Sequence, residues 1–151
     1  MSQSLAQIWI HLVFSTKERR PFLKSDSLRD EMFRMLAHHV KESGCVCAIV
    51  GSHEDHVHLL VGPSRTITIA KLVENVKTET PKWMKAHKDG SKLFSWQSGY
   101  GAFSVSHSKC NEVETYIRNQ AEHHKRFSYQ DEFRKICERH GLSIDESYVW
   151  E

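Results

Sequence analysis

Two histidines lie two residues apart in the segment His56–Gly62, which is otherwise aliphatic. Side chains alternate along a β-strand, so Val57 can enter a core while His56 and His58 point together to the opposite face. Neutral imidazole is a common ligand of divalent ions, and two imidazoles at this spacing can both reach one ion. The spacing permits a metal-binding pair, but taken alone it fits ordinary polar surface on an exposed sheet more often.

Tyr116 and Gln120 form a second candidate pair, because a spacing of four residues places both side chains on one face of a helix. An apolar stripe adjoins them, formed by Val113, Ile117 and Ala121. Taken alone, this segment also fits a tyrosine at the edge of a core, packed against a sheet while the glutamine forms a hydrogen bond nearby. The pair gains a chemical interpretation only together with the histidines.

A structural zinc site is the main alternative for the histidine pair, because Cys45 and Cys47 precede it on the same predicted hairpin. The expected register argues against this alternative. It places His58 opposite Val50 and Cys47 opposite Val61, a separation of about 10 Å along the strand at a rise of about 3.4 Å per residue. Four ligands cannot then lie within about 2.3 Å of one ion.

The predicted elements follow the order β-α-β-β-α-β, with two further helices after them. The strands span residues 7–14, 45–52, 56–62 and 100–105. The helices begin near residues 28, 69, 109 and 129, with Ser25 or Ser27 and Thr66 or Thr68 as caps, and Pro81 bends or ends the second. This order is typical of a ferredoxin-like sandwich, an α+β fold with an antiparallel sheet and helices on one face. We expect the other face to be left for a partner, a ligand or solvent.

The composition fits one soluble domain spanning residues 1–151, since 39% apolar residues are enough for one continuous core. The sequence has no run of about 18 apolar residues and no secretory signal pattern, so we expect a cytoplasmic protein without membrane association. The four cysteines lack the spacing of a disulfide framework and are expected to stay reduced. No Walker-type phosphate-binding loop is present.

The net charge of +2 does not by itself indicate a nucleic-acid partner, but the distribution of charge is more informative. Residues 71–92 contain six lysines and only three acidic residues. The candidates for contact with DNA phosphates are Lys77, Lys82 and Lys85 in this segment, and Lys17, Arg19 and Arg20 after the first strand. Each of them also fits an ordinary solvated surface charge.

Four motifs in this sequence resemble those of the single-tyrosine HUH transposases, which include small insertion-sequence transposases and the REP-associated tyrosine transposases. The motifs are Trp9-Ile-His-Leu-Val-Phe14, Asp55-His-Val-His-Leu-Leu-Val61, Trp96-Gln-x-Gly-Tyr-Gly-Ala-Phe-Ser104 and Tyr116-Ile-x-Asn-Gln-x-Glu-His-His124. The family name records a His-hydrophobic-His pair, which here is His56-Val57-His58. The resemblance runs from the first strand to the penultimate helix.

The resemblance implies that Tyr116 is the nucleophile and that His56, His58 and Gln120 hold Mg²⁺ or Mn²⁺. Such an enzyme cleaves and rejoins hairpin-bearing single-stranded DNA through a 5′-phosphotyrosine intermediate, and it needs no nucleotide cofactor. A free phenol has a pKa of about 10 and is a weak nucleophile at neutral pH. An ion that polarises the phosphate and stabilises the leaving oxygen would offset this weakness.

The resemblance also implies a homodimer, in which the Tyr116 helix of one subunit completes the His56–His58 site of the other. Two sites suit a strand exchange that handles two DNA ends. Two alternatives stay open: a hairpin-binding protein that descends from such a transposase and no longer cleaves, and a hydrolase that activates water with its metal. A covalent protein–DNA adduct distinguishes the transposase from both.

Overall fold

The computed structural model describes residues 2–151 and contains one four-stranded antiparallel sheet within them. Its strands are β1 (Trp9–Ser15), β2 (Val46–Ser52), β3 (His56–Gly62) and β4 (Gly101–Val105). Their spatial order is β2-β3-β1-β4, and every neighbouring pair is antiparallel. This order confirms the ferredoxin-like α+β fold and places the histidine-bearing β3 inside the sheet.

The helices begin close to their predicted positions. They are α1 (Asp26–Glu42), α2 (Ile69–Ala86), α3 (Cys110–Arg118), α4 (Gln120–His123) and α5 (Tyr129–Arg139). The side chains of Ser25 and Thr68 accept hydrogen bonds from backbone N–H groups in the first turns of α1 and α2. These two caps satisfy donors that would otherwise lack a partner.

Helices α1 and α2 cover one face of the sheet and enclose the larger hydrophobic core. Apolar side chains at helical spacing on both helices pack against alternate side chains of β1 and β3. The strand residues buried on this face are Ile10, Leu12, Phe14, Val57, Leu59 and Val61. The intervening residues, including both histidines, therefore face the opposite side of the sheet.

The second face of the sheet is also covered, so the expectation of an open face is wrong. Helix α3 lies against β2 and β3, and α5 packs Tyr129, Phe133 and Ile136 against Val13 and Phe103. The apolar stripes of the C-terminal helices were visible in the sequence, but a stripe does not specify which surface it contacts. The histidine side of β3 is consequently an interior surface.

The β2–β3 hairpin differs from its expected register near the turn. His58 pairs with Gly51 rather than with Val50, whereas Cys47 pairs with Val61 as expected. A β-bulge just after Cys47 accounts for both observations, because it adds one unpaired residue to β2 between the two pairs. The cysteines lie well along the hairpin from the histidines, which supports the argument against a structural zinc site.

The sequence left open whether Pro81 bends or ends the second helix, and in the structure α2 continues through this residue. Met84 in the next turn is fully buried in the larger core, and this packing favours a continued helix despite the missing N–H of proline. The helix predicted to begin near residue 109 differs from expectation, because it is divided at Asn119 into α3 and α4. Within residues 2–151, no helix combines the length and hydrophobicity of a membrane span.

Candidate functional site

His56 and His58 project from β3 into the space between the sheet and the C-terminal helices. Both side chains are fully buried, and their ring centroids lie 5.1 Å apart. The two side chains point to the same face, as the alternation along a strand predicted, and Val57 and Leu59 lie in the core on the other face. Buried imidazoles need hydrogen-bonding or metal partners, so the surroundings of each nitrogen decide what this pair can do.

The Nδ1 atom of each histidine has a hydrogen-bonding partner on the side of the ring opposite Nε2. His56 Nδ1 donates to Asp55 Oδ1 at 2.7 Å, and His58 Nδ1 lies 2.8 Å from Nε2 of His11. Burial, together with the neighbouring His58, lowers the pKa of His11 to about 3, so His11 is neutral and can accept a hydrogen bond. A proton on each Nδ1 leaves both Nε2 lone pairs facing the same region, as a metal-binding pair requires.

Helices α3 and α4 bring Tyr116 and Gln120 to this same region. Gln120 is 1% exposed, and its Oε1 lies 3.1 Å from His56 Nε2. The Tyr116 ring lies 5.8 Å from the His58 ring, measured between centroids. The four residues singled out from the sequence therefore lie together within one chain.

A glycine allows α3 to lie this close to the sheet. A Cβ atom on Gly51 of β2 would lie 2.2 Å from the backbone oxygen of Ile117, which is far inside contact distance. Ile117 follows Tyr116 directly in α3, so the absence of a side chain at position 51 sets the distance of the tyrosine from β3. The sequence did not indicate this role for Gly51.

Two further residues of the cluster were missed in the sequence: Glu132 on α5, and His124 just after α4. Glu132 Oε1 lies 2.8 Å from His58 Nε2, and 3.3 Å from Nε2 of both His56 and His124. One ligand atom from each of these four residues lies within 4.8 Å of every other. Two ligands bonded at about 2.1 Å to one ion lie at most about 4.2 Å apart, and about 3.4 Å apart in a tetrahedron, so this donor set fits a divalent ion after small adjustments.

The sequence contained a signal for each of the missed residues. Tyr129, Phe133 and Ile136 recur at helical spacing, and Glu132 lies within that apolar stripe, where an unpaired carboxylate would be costly. His124 follows Gln120 by four residues and so continues the same helical face. A buried carboxylate expected on a helix is a reason to look for cationic or metal partners.

Glu132 connects the histidine cluster to Tyr116. Its Oε2 accepts hydrogen bonds from the Tyr116 hydroxyl and from Gln120 Nε2. Burial opposes ionisation of this carboxyl, but His58 and the hydrogen bonds from the surrounding histidines hold the pKa of Glu132 well below its usual range. Burial and the Glu132 charge raise the pKa of Tyr116 well above that of a free phenol. Tyr116 is thus a neutral hydroxyl here, and a cation beside Glu132 would make its ionisation easier.

Two hollows flank Tyr116. One has a volume of about 410 Å³ and is lined in part by Lys109 and His140, and the other has a volume of about 230 Å³ and is lined in part by Lys135. Arg139 lines both of them. Basic side chains on two sides of a tyrosine suit a strand that carries phosphates.

Comparison with protein families gives a match over most of the chain. Residues 4–120 match the family model described as "Transposase IS200 like". The chain belongs to this family. The matched part of this IS200-like transposase contains His56, His58, Tyr116 and Gln120, and it ends before His124 and Glu132. No curated protein gives a match.

Two solved structures share the fold of this IS200-like transposase. A proposed transposase from Deinococcus radiodurans superimposes with a TM-score of 0.61 at 22% identity, covering 80% of this chain and 98% of the other. A REP-associated tyrosine transposase bound to a REP hairpin superimposes with a TM-score of 0.52 at 13% identity, covering 78% of this chain and 70% of the other. At these identities the likeness shows a common fold.

The predicted DNA-contact residues of this transposase lie in two regions. Lys17 and Arg19 lie in the short 3-10 helix after β1, and Arg20 follows it. Lys17 and Arg20 are exposed, whereas the Arg19 guanidinium lies 5.9 Å from the ring centroid of Trp150. Contact of this group with DNA stays a prediction.

The other three candidates lie on α2 and differ in their surroundings. Lys82 and Lys85 are exposed. Lys77 is half-buried, and its ammonium donates to the carbonyl oxygens of Gln97, at 2.8 Å, and Gly99. Burial lowers the pKa of Lys77 to about 8. Lys77 therefore has a structural task in this transposase, and its contact with DNA also stays a prediction.

Proposed function

We propose that this IS200-like transposase cleaves and rejoins single-stranded DNA by attack of Tyr116, with a divalent ion, Mg²⁺ or Mn²⁺, bound by His56, His58 and Gln120. One observation carries the proposal: the Tyr116 hydroxyl and the Nε2 atoms of both histidines all contact the Glu132 carboxylate. A nucleophile and an ion site this close can act on the same phosphate group.

In the proposed reaction, Tyr116 Oη forms a bond to phosphorus while the bond from phosphorus to the 3′ oxygen of the preceding nucleotide breaks. The phenolic proton is lost, and the leaving oxygen gains a proton to become a free 3′-hydroxyl. The product is a 5′-phosphotyrosine, and attack by another 3′-hydroxyl regenerates the tyrosine. A bound divalent ion would stabilise the negative charge that develops on the phosphate oxygens.

The residues of the chain position the reacting groups. The hydrogen bond to Glu132 fixes the Tyr116 hydroxyl beside the histidine cluster. Gln120 Nε2 donates to Glu132 Oε2 at 3.2 Å, which turns its Oε1 toward His56. A preorganised arrangement of this kind lowers the cost of bringing reacting groups together.

The proposed substrate is single-stranded DNA that carries a hairpin. Support comes from the motifs that resemble the HUH transposases and from the related structure that is bound to a REP hairpin. The hollows beside Tyr116, with Arg139 lining both, offer a basic path for the strand to be cut.

We propose that the active form is a homodimer in which each chain carries its own site. Two copies suit an exchange of two DNA ends. The family resemblance implied that α3 would instead complete the site of the other subunit. The packing of Ile117 on Gly51 and the bond from Tyr116 to Glu132 support assembly within one chain, because together they complete the site without a residue from a second subunit.

Incubation with single-stranded DNA from the flanks of its own gene tests the proposed function. We expect a covalent adduct that mass analysis assigns to Tyr116. Tyr116→Phe removes one oxygen and keeps the ring, so it should abolish the adduct and leave hairpin binding almost unchanged. Tyr148→Phe is the matched control, because Tyr148 is 68% exposed, and it should retain the adduct. Cleavage without an adduct would indicate activated water, and binding without cleavage would indicate a non-cleaving derivative.

A further inference from the structure

The ligand cluster extends beyond the part of the chain that matches the family model. The match ends at residue 120, whereas His124 and Glu132 come from the following residues. Glu132 is 2% exposed, and the side chain of His124 is also 2% exposed. Such burial is unusual for a carboxylate unless it is paired or bound to metal.

The orientation of His124 matches that of the two histidines on β3. Its Nδ1 donates to the backbone oxygen of Phe127 at 2.7 Å, so in the neutral ring the lone pair lies on Nε2. Nε2 lies 2.9 Å from Gln120 Oε1 and 3.3 Å from Glu132 Oε1, and both of these atoms are acceptors. The Nδ1 atoms of His56 and His124 thus both face oxygen acceptors, and their Nε2 atoms also face oxygen atoms. His58 Nε2 lies 2.8 Å from the same Glu132 Oε1, so three imidazoles converge on one carboxylate oxygen.

Acceptors do not pack against acceptors unless a proton or a cation lies between them. The Gln120 amide cannot remove the conflict by turning over, because its Nε2 already donates to Glu132 Oε2 and to the Tyr116 carbonyl oxygen. Several protons shared among buried rings would leave several buried charges to stabilise. One divalent cation among the same atoms satisfies all of them at once.

We propose that His124 and Glu132 join His56 and His58 as direct ligands, and that this set selects an imidazole-binding transition-metal dication over Mg²⁺. The inference rests on the proposed function, which needs an ion at this site, and it specifies which ion. Mg²⁺ prefers oxygen ligands and keeps several waters. Three nitrogen ligands and one carboxylate suit first-row transition ions instead.

The same ligand set gives Glu132 a second task, which is to position the nucleophile. Its Oε1 faces the three imidazoles, while its Oε2 accepts the hydrogen bond from Tyr116. A ligand that bridges the ion and the tyrosine holds them at a fixed separation. Loss of Glu132 should therefore affect ion binding and the placement of Tyr116 together.

Titration of the DNA-free protein with Mn²⁺, followed by the electron paramagnetic resonance signal of the free ion, tests the ligand set without any catalytic reaction. We expect Glu132→Gln and His124→Ala each to weaken Mn²⁺ binding by about 10- to 100-fold. The matched controls are Glu138→Gln, which changes an exposed carboxylate on the same helix, and His107→Ala, which removes an exposed histidine. Both controls should bind Mn²⁺ like the unaltered protein.

Two measurements on the unaltered protein keep the proposal testable if a variant fails to fold. Pulsed electron paramagnetic resonance of bound Mn²⁺ should detect three imidazole nitrogens, and Mg²⁺ in about 100-fold excess should fail to displace the ion. Two nitrogens, ready displacement by Mg²⁺, or normal Mn²⁺ binding by folded Glu132→Gln and His124→Ala would overturn the proposal. A Tyr116 adduct formed with Mg²⁺ alongside any of these results would leave the proposed function intact, so the two failures are distinguishable.

Discussion

At the scale of single residues, the site depends on which groups lie at the two nitrogens of His56. Asp55 lies at Nδ1, and Gln120 and Glu132 lie at Nε2. Burial opposes protonation of this ring, but its hydrogen bonds to the carboxylates of Asp55 and Glu132 outweigh burial and raise the pKa of His56 to about 9. Without metal, the positive charge of protonated His56 would offset part of the negative charge of Glu132, which the ion is proposed to offset when it is bound.

We predict that the chelated, metal-free protein is most stable near pH 6.5. The stabilisation from His56 is complete below its unfolded pKa of about 6.5 and is lost as the pH rises through about 9. His11 acts in the opposite direction: burial lowers its pKa to about 3, so stability falls as the pH drops from about 6.5 toward that value. The free energy of unfolding, measured with urea between about pH 4 and pH 10, should decline on both the acid and the alkaline side of the maximum.

A variant separates the alkaline limb of this profile from general effects of pH. His56→Gln keeps a polar side chain but has no proton to lose in this range, so the decline between about pH 6.5 and pH 9 should flatten. A flat profile over the same interval in the unaltered, chelated protein would contradict the assignment of a protonated His56.

At the scale of elements, the contact between β2 and α3 sets the geometry of the nucleophile. Gly51 lies opposite His58 in the sheet and beneath Ile117 of α3. One residue therefore fixes how far the tyrosine helix lies from the histidine strand. A side chain at this position cannot be accommodated by a rotamer change alone, because the nearest atom is a backbone oxygen.

We predict that Gly51→Ala lowers the free energy of unfolding by about 1–3 kcal/mol, as expected when atoms are inserted into a packed interface. The displaced helix should also weaken Mn²⁺ binding and slow formation of the adduct. Gly99→Ala is the control, since a Cβ atom there would lie 3.6 Å from its nearest neighbour, an ordinary contact. Equal stability of the two variants, measured by urea unfolding, would show that α3 does not depend on the close approach.

The sequence predicted the elements better than their packing. Strand β3 was predicted with its observed bounds, because His56–Gly62 follows clear turn residues and is rich in aliphatic side chains typical of a strand. The burial of the site was not predicted, because it depends on α5 packing over the second face. The role of Gly51 depends on the same kind of contact, between segments distant in sequence. A local pattern shows that an element has an apolar face to bury, but not which other element packs against that face.

At the scale of the whole molecule, the arrangement of sites in a dimer can be tested by mixing two inactive variants. Tyr116→Phe and His56→Ala carry lesions in different halves of the site. If each chain builds its own site, as we predict from the contacts of α3, every site in the mixed dimer has one lesion and strand transfer stays absent. Activity in a verified heterodimer would show instead that α3 is exchanged, as the family resemblance implied.

The position of α5 along the chain also determines when the site can form. A ribosome releases the histidines of β3 first, then Tyr116 and Gln120, and only afterwards His124 and Glu132. A nascent chain that already displays its nucleophile still lacks the helix that covers the second face of the sheet and, on the proposed ligand set, half of its metal ligands. The order of synthesis would thus delay completion of the site until the ribosome has passed α5.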